Sequence, residues 1–303
     1  AGITPAKLSP IQPAGSSIGR ISARASAATA LPEATPLING GHDQALSVLG
    51  LGINEPGKFL LSCGTAWVIS GVSDKVDMAS TPPELDWNVH PLDGRWIISQ
   101  SLGGLGASLE WWVNLAWRGV HGQVKREEVF SALDAELNGT QPKTGLFFLP
   151  ITGGHNNPST GLGGGFINLH LGHSRADMAR AIMESAAFEL RWAIQNAKLY
   201  PEGLWMLGGA AKSRHWVETL ASATGIPFHL PQYDNFPALG AAILAGMGVN
   251  VFDSVDDALE KFKKPTHTVA PSEALRREYD ERFEAYQAYR RKNLRPIINN
   301  RFL

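Results

Sequence analysis

The sequence PLINGGHDQAL at residues 36–46 is the stretch on which the interpretation of the whole chain depends. A short apolar run leads into Gly40 and Gly41, an acid follows at Asp43, and the apolar residues from Ala45 onward predict a helix. Glycine tolerates positive φ and lets a ligand approach the backbone, so such a turn can place a carboxylate at the edge of a cleft. Asp43 is therefore a candidate general base or metal-linked acid. Aspartate is also favoured as a helix N-cap, and this stretch alone favours the N-cap interpretation.

The composition is that of an ordinary folded protein. The 303 residues are enough for one large or two medium domains, with 44% hydrophobic and 18% charged residues. Lys and Arg number 27 and Asp and Glu number 28, so we expect neither a nucleic-acid nor a membrane partner. The single Cys63 excludes an internal disulfide and fits a reducing compartment. No apolar run reaches the roughly 18 residues of a membrane span, and we expect a cytoplasmic protein.

Two pairs of strands are predicted in the first half of the chain. The sequence FLLSCGTAWVIS at residues 59–70 indicates two apolar strands that meet at Gly64 and Thr65. The tip of this hairpin presents backbone N–H groups and a hydroxyl, which suit a phosphate, although a plain turn is favoured on this evidence alone. Residues 86–99 predict a second hairpin around Asp93-Gly94.

Two helices and a glycine-rich region follow these hairpins. SLGGLGASLE at residues 101–110 leads into a helix that carries three tryptophans, interpreted as core: Trp111, Trp112 and Trp117. Gly106 and Glu110 are four residues apart and share one face of that helix. Residues 126–137 predict a short amphipathic helix. The run GLGGG at residues 161–165 is not a dinucleotide fingerprint, because no strand enters it directly. Four histidines lack metal-ligand spacing and are expected in loops or on the surface, so no metal site is predicted: His42, His155, His170 and His173.

The second half alternates strands and helices, which predicts an α/β fold. SRAD at residues 174–177 is a capping box that opens an amphipathic helix. A strand at residues 203–207 leads through the turn GGAAKS into a helix at residues 214–224. A helix of small residues at 238–246 could pack closely against another helix or a purine ring. A final helix at residues 272–291 is expected to have a solvated face that includes Arg276, Arg277, Arg282, Arg290 and Arg291.

Six stretches together resemble the FGGY carbohydrate kinases, which include xylulokinases, gluconokinases and glycerol kinases. They occur in the family's order over nearly the whole chain: residues 40–44, 63–65, Gly106 with Glu110, 169–175, 207–216 and 238–242. With this resemblance, the functional interpretation of Asp43 is favoured over the N-cap. The resemblance implies an actin-like (ribonuclease H-like) ATPase fold, with a mixed sheet flanked by helices.

The sequence departs from the family pattern in two places. The family's opening phosphate loop, Asp-x-Gly-Thr/Ser, has no counterpart in the chain. The resemblance therefore implies that residues 1–52 are the remnant of an N-terminal actin-like domain, which carries the catalytic turn. Residues 53–303 would be the C-terminal nucleotide-binding domain with a trailing helix. We expect a C-terminal portion that needs the missing N-terminal kinase domain as a partner and is not active alone. In addition, GHNNP at residues 154–158 stands where relatives often have Gly-Glu-Arg-x-Pro.

The resemblance also implies the chemistry and the site. The predicted activity is the ATP-dependent phosphorylation of a hydroxyl on a sugar or polyol of the pentulose, hexonate or glycerol class. Asp43 would accept the hydroxyl proton, and Gln44 would bind a neighbouring sugar hydroxyl. Gly64 and Thr65 would hold the terminal phosphates, which Mg²⁺ bridges. The nucleoside pocket would be lined by Gly106, Glu110, Gly209, Ala210 and Ser213.

Two alternatives belong to other classes of protein. One is a non-catalytic actin-like module that binds a nucleotide, a sugar or a protein partner, and the other is an ATP hydrolase of the actin-like superfamily. Asp43 with Gln44 favours the kinase, because a scaffold has little need for an acid at this turn. Aromatic residues near Trp111 are consistent with a homodimer.

Overall fold

The computed structural model describes residues 4–117, 126–137, 145–150, 164–233, 235–262 and 265–299. Its main element is a seven-stranded mixed sheet in the order β11-β10-β9-β3-β4-β6-β5. The strands are β3 (Lys58–Cys63), β4 (Trp67–Ser73), β5 (Asp86–Val89), β6 (Trp96–Gly103), β9 (Gly203–Gly208), β10 (Phe228–Pro231) and β11 (Thr266–Val269). The pairs β3–β9 and β9–β10 are parallel, and the other pairs are antiparallel. Both predicted hairpins are confirmed.

Two smaller sheets and a set of helices complete the described fold. The small sheets pair β1 (Ser17–Arg20) with β2 (Pro36–Ile38) and β7 (Phe147–Leu149) with β8 (Gly165–Ile167). The α-helices are α1 (Ala23–Thr29), α2 (Asp43–Gly50), α3 (Leu105–Trp117), α4 (Arg126–Leu137), α5 (Arg175–Asn196), α6 (Arg214–Thr224), α7 (Phe236–Gly248), α8 (Val255–Lys261) and α9 (Glu273–Asn299). The described residues contain no helix that is long and apolar enough to cross a membrane.

The large sheet lies between two layers of helices. Alternate side chains of a strand point to opposite faces, so Leu61 and Leu60 belong to different cores. Leu61 packs in the larger core with residues of α3, α5, α6 and α9. Leu60 packs on the other face with Ala45 and Val48 of α2. Helix α2 is therefore part of the layer that covers the sheet, and α7 and α8 pack outside it.

The predicted capping box at the start of α5 is confirmed. The hydroxyl of Ser174 accepts the backbone N–H of Asp177 at 3.2 Å, and the Asp177 carboxylate accepts the backbone N–H of Ser174 at 2.8 Å. These bonds satisfy N–H groups that have no partner inside the helix. The helix they start is 22 residues long and forms the centre of the larger core.

The helix of small residues, α7, packs against α2. A Cβ atom at Gly240 would lie 2.1 Å from the carbonyl oxygen of Leu46, and one at Gly50 would lie 2.5 Å from that of Phe236. Reciprocal glycines thus allow the two backbones to touch. The sequence predicted either a helix or a purine ring as the packing partner of α7. The glycine face of α7 contacts a helix, α2.

The expectation that five arginines of α9 form a solvated face is wrong for Arg282 and Arg290. Arg282 is buried and forms an ion pair with the buried Glu184 of α5, while Arg290 Nε donates to Glu189 Oε1 at 2.8 Å. Burial raises the pKa of Glu184, and Arg282 opposes that shift. These arginines share the helix face of Tyr286, which lies in the larger core. Arg276, Arg277 and Arg291 are exposed, as expected.

The predicted tryptophan core and surface histidines are borne out in part. Trp112 is buried, but Trp111 is 43% exposed, and the side chain of Trp117 lies outside the described part of the chain. His42 and His170 are exposed. His155 and the GHNNP segment also lie outside the described residues.

Candidate active site

The candidate site begins where two parallel strands end. Cys63, the last residue of β3, pairs with Gly208, the last residue of β9. The turn at Gly64 and Thr65 follows β3, and a 3-10 helix at Gly209–Lys212 follows β9. In open α/β sheets, ligands bind in the crevice outside the carboxyl ends of the strands. This edge of the sheet is therefore the expected place for a ligand.

A cavity of about 540 Å³ opens at this edge. Its volume lies in the range of small-molecule sites. All seven residues that the sequence predicted to bind nucleotide line it: Gly64, Thr65, Gly106, Glu110, Gly209, Ala210 and Ser213. Residues as far apart in sequence as the β3–β4 turn, α3 and the start of α6 thus surround one space.

Helix α3 is packed directly onto the Gly64–Thr65 turn. A Cβ atom at Gly106 would lie 2.1 Å from the carbonyl oxygen of Gly64, and the backbone N–H of Ala107 donates to the carbonyl of Thr65 at 3.1 Å. Gly106 is therefore required for the close approach of helix and turn. Gly209 differs, because a Cβ atom there would meet no other group of the described residues within 4 Å. The space beside Gly209 is open to the cavity.

Helix α4 supplies a wall that the sequence analysis missed. Phe130, Ser131 and Asp134 line the cavity. The Ser213 hydroxyl donates to Asp134 Oδ1 at 2.8 Å and accepts the backbone N–H of Trp216 at 3.3 Å, as the N-cap of α6. Ser213 therefore connects α4 to α6. The only sequence signal for Asp134 was an acid on an amphipathic helix, which by itself indicates a solvated face.

Two tryptophans and a cysteine form the apolar floor of the cavity. The rings of Trp67 and Trp216 are tilted, with centroids 5.1 Å apart, and neither buried indole nitrogen has a hydrogen-bond partner among the described residues. Buried donors normally have a partner, so these two are unusual. Burial raises the pKa of the Cys63 thiol, which disfavours a reactive thiolate.

Asp43 is the first residue of α2, and the interpretation of Asp43 as the N-cap is wrong. His42 occupies the N-cap position and makes no side-chain capping bond. The Asp43 carboxylate accepts the backbone N–H of Gln44 at 2.7 Å and lies 3.2 Å from His42 Nδ1. Its side chain is 72% exposed.

Gln44 connects the start of α2 to the end of β3. Its Nε2 donates to the hydroxyl of Ser62 at 3.3 Å, and its buried Oε1 has no partner in the part of the chain that the structure describes. Ser62 is two residues before Gly64, so Asp43 lies at the same edge of the sheet as the turn. The amide of Gln44 is directed to β3, and the contact of Gln44 with a sugar stays a prediction.

Sequence comparison decides the family of the chain. The model of the C-terminal domain of the FGGY family of carbohydrate kinases matches residues 60–249. The chain belongs to this family. The FGGY resemblance of the sequence motifs and the predicted actin-like α/β fold are thereby confirmed.

The relatives named below are kinases of xylulose or of autoinducer-2. The chain is 27% identical to the L-xylulose/3-keto-L-gulonate kinase of Escherichia coli (strain K12), over 92% of this chain and 55% of that protein. It is 29% identical to the autoinducer-2 kinase of Escherichia coli O9:H4 (strain HS), over 96% of this chain and 56% of that protein. The structure of xylulose kinase from Rhodospirillum rubrum superposes with a TM-score of 0.81 at 26% identity, over 98% of this chain and 59% of that chain. The chain thus spans about half the length of these FGGY relatives.

Proposed function

We propose that this chain is the nucleotide-binding part of a carbohydrate kinase, which transfers the terminal phosphoryl group of ATP to a hydroxyl of a sugar or polyol. The observation that carries the proposal is the convergence of the seven predicted nucleotide residues on one cavity. The start of α2, with Asp43, lies at the same sheet edge through the Gln44–Ser62 hydrogen bond. A phosphoryl donor site and a candidate base therefore lie on the same side of the molecule.

The Gly64–Thr65 turn is the proposed phosphate end of the cavity. Backbone N–H groups and a hydroxyl in a tight turn bind phosphate oxygens well. Helix α3 begins at Leu105, beside this turn, and the positive end of its dipole also favours an anion there. A nucleotide would then extend along α3 past Glu110 toward α4 and α6.

Asp43 is the proposed general base. Phosphoryl transfer needs a positioned hydroxyl and a group that accepts its proton. The carboxylate is exposed to an incoming substrate and oriented by the N–H of Gln44. Gln44 is the proposed substrate-binding neighbour, and its bond to Ser62 would hold it and Asp43 against β3.

ATP with Mg²⁺ is the proposed phosphoryl donor. Mg²⁺ usually keeps several of its waters and binds substrate phosphates together with one or two carboxylates. The hydroxyl of Thr65 is the oxygen of the turn that would lie beside the ion. When bound, Mg²⁺ neutralises charge that develops on the transferred group.

The sugar and the second half of the site are proposed from the relatives. The names of the L-xylulose/3-keto-L-gulonate kinase and of the xylulose kinase point to keto sugars as the substrate class. The chain spans about half of these relatives, and we propose that an N-terminal kinase domain provides the other wall of the sugar site. The proposed boundary at residue 52 lies just after α2, which packs on elements of the C-terminal domain. A cytoplasmic location and a homodimer complete the proposal.

Calorimetric titration with Mg-ATP tests the nucleotide site. We expect the chain to bind Mg-ATP and Gly209→Leu to lower the affinity at least about tenfold, because a side chain there extends into the open space of the cavity. The matched control is Gly165→Leu, since a Cβ atom at Gly165 also meets no described residue within 4 Å and Gly165 does not line the cavity. Equal affinity of the two variants, or no binding by the unaltered chain, would overturn this placement.

A further inference from the structure

Asp134 and Phe130 present an acid and an aromatic ring on one face of α4. They are four residues apart, so they are neighbours on the helix surface, and both line the cavity. An aromatic ring offers a flat surface for a base, and a carboxylate offers a hydrogen-bond acceptor. This combination fits the base of a nucleotide better than its phosphates, which a carboxylate repels.

The position of α4 agrees with the base end of a bound nucleotide. Gly106 contacts the Gly64 carbonyl at the proposed phosphate end, and Glu110 lies one helical turn, about 6 Å, further along α3. Helix α4 packs against α3 and α6. If the phosphates of a bound nucleotide lie on the turn, its ribose therefore lies beside Glu110 and its base lies beside Asp134.

The Asp134 carboxylate is oriented by its neighbour. Its Oδ1 accepts the Ser213 hydroxyl at 2.8 Å, and Ser213 is itself held as the N-cap of α6. No hydrogen bond to Oδ2 comes from the described part of the chain. An ionised carboxylate only accepts hydrogen bonds, so its ligand must offer a donor.

We propose that Asp134 is the residue that selects adenine, by accepting a hydrogen bond from the 6-amino group of the base at Oδ2. This inference rests on the proposed function, because it requires a nucleotide in this cavity. Hypoxanthine carries an oxygen in place of the 6-amino group and a proton on N1. Its 6-oxygen would face the Asp134 carboxylate in the position of the amino group, which sets two acceptors against each other. The chain should therefore distinguish ATP from ITP, which differ in the group facing Asp134.

The test measures the dissociation constants of Mg-ATP and Mg-ITP for the full chain and for two variants. We expect the unaltered chain to prefer ATP about tenfold or more, the range for a hydrogen bond to a charged group. In Asp134→Asn the amide oxygen can still accept the Ser213 hydroxyl, while Nδ2 can donate to the 6-oxygen of ITP. The preference for ATP over ITP in this variant should then fall below about threefold or reverse. Glu128→Gln removes a carboxylate from the exposed side of the same helix and should keep the original ratio.

Each other outcome overturns the inference in a recognisable way. Nucleotide binding with an unchanged ratio in Asp134→Asn would show that Asp134 does not read the base. An equal loss of affinity for both nucleotides would show that Asp134 only positions Ser213 and does not contact the base. In both cases the proposed nucleotide site stands. Failure of the unaltered chain to bind either nucleotide would overturn the inference together with the proposed function.

Discussion

Replacing Gly106 by alanine should force α3 away from the Gly64–Thr65 turn. The new Cβ atom would lie 2.1 Å from the Gly64 carbonyl oxygen and 3.2 Å from Trp67 Nε1. A carbon and a carbonyl oxygen normally approach no closer than about 3.3 Å, so helix or turn must move by about 1.2 Å. Both contacting groups are held, one in the backbone and the other in a fully buried ring. The overlap therefore cannot be relieved by rotating a flexible side chain.

The expected loss of stability follows from two opposing effects. Overpacking a close-packed region costs about 1–3 kcal/mol, and the upper end applies where the backbone must shift. Replacing glycine by alanine inside a helix stabilises the folded protein by about 0.5–1 kcal/mol. The net loss should be about 2 kcal/mol, which lowers the melting temperature by roughly 3 °C for a chain of 303 residues.

Thermal denaturation of Gly106→Ala beside Gly209→Ala is the assay. Both glycines line the cavity, but a Cβ atom at Gly209 meets no described group within 4 Å. The stability of Gly209→Ala should therefore stay within about 0.5 kcal/mol of that of the unaltered chain. If Gly106→Ala is as stable as Gly209→Ala, α3 does not contact the turn in the way described. The Gly64–Thr65 turn would then not be the phosphate end of the cavity.

Three further predictions concern the proposed base, a buried histidine and a buried ion pair. In the active kinase, Asp43→Asn should lower kcat by about 100-fold or more at an unchanged melting temperature, because the side chain is 72% exposed, and a loss below about threefold would remove Asp43 from the base role. Burial lowers the pKa of His90 from 6.5 to about 4, so stability should fall as the pH drops through this window, where only the unfolded state gains the proton. In urea titrations across this pH range, the free energy of unfolding of His90→Asn should depend less steeply on pH than that of the unaltered chain. The exposed His267→Asn should keep the original pH dependence, and an equal pH dependence in the two variants would contradict the assignment. Arg282→Met should cost about 3–5 kcal/mol in urea denaturation because it leaves Glu184 buried without its partner, and adding Glu184→Gln should recover part of the loss; no recovery would mean that the charge is not the cause.

Local signals in the sequence predicted most of the elements. Alternating or continuous apolar runs marked the strands of both hairpins, and the capping box marked the start of α5, because these features depend on neighbours a few residues away. Three residues of the glycine motifs, Gly64, Gly106 and Gly209, lie together along one side of the cavity. Gly64, Gly106 and Gly209 mark places where a backbone must approach another group closely.

The sequence could not distinguish what each of these glycines approaches. Gly106 contacts the carbonyl of Gly64, Gly240 contacts the carbonyl of Leu46, and Gly209 faces open space. In the sequence all three are small residues in a similar setting. Only the packing of the helices separates a glycine needed for the fold from one that leaves room for a ligand.

The sequence by itself determined the family, the order of the elements and one set of cavity residues, because motifs and periodicity are written in short segments. The tertiary structure decided which acids face the cavity or the core. Asp134 meets Ser213 across 79 positions of sequence, and Arg282 meets Glu184 across 98. A charged residue on an amphipathic helix looks the same in the sequence whether it faces water, a cavity or a buried partner. The difference lies in contacts between distant segments, which form only when the helices pack on the sheet.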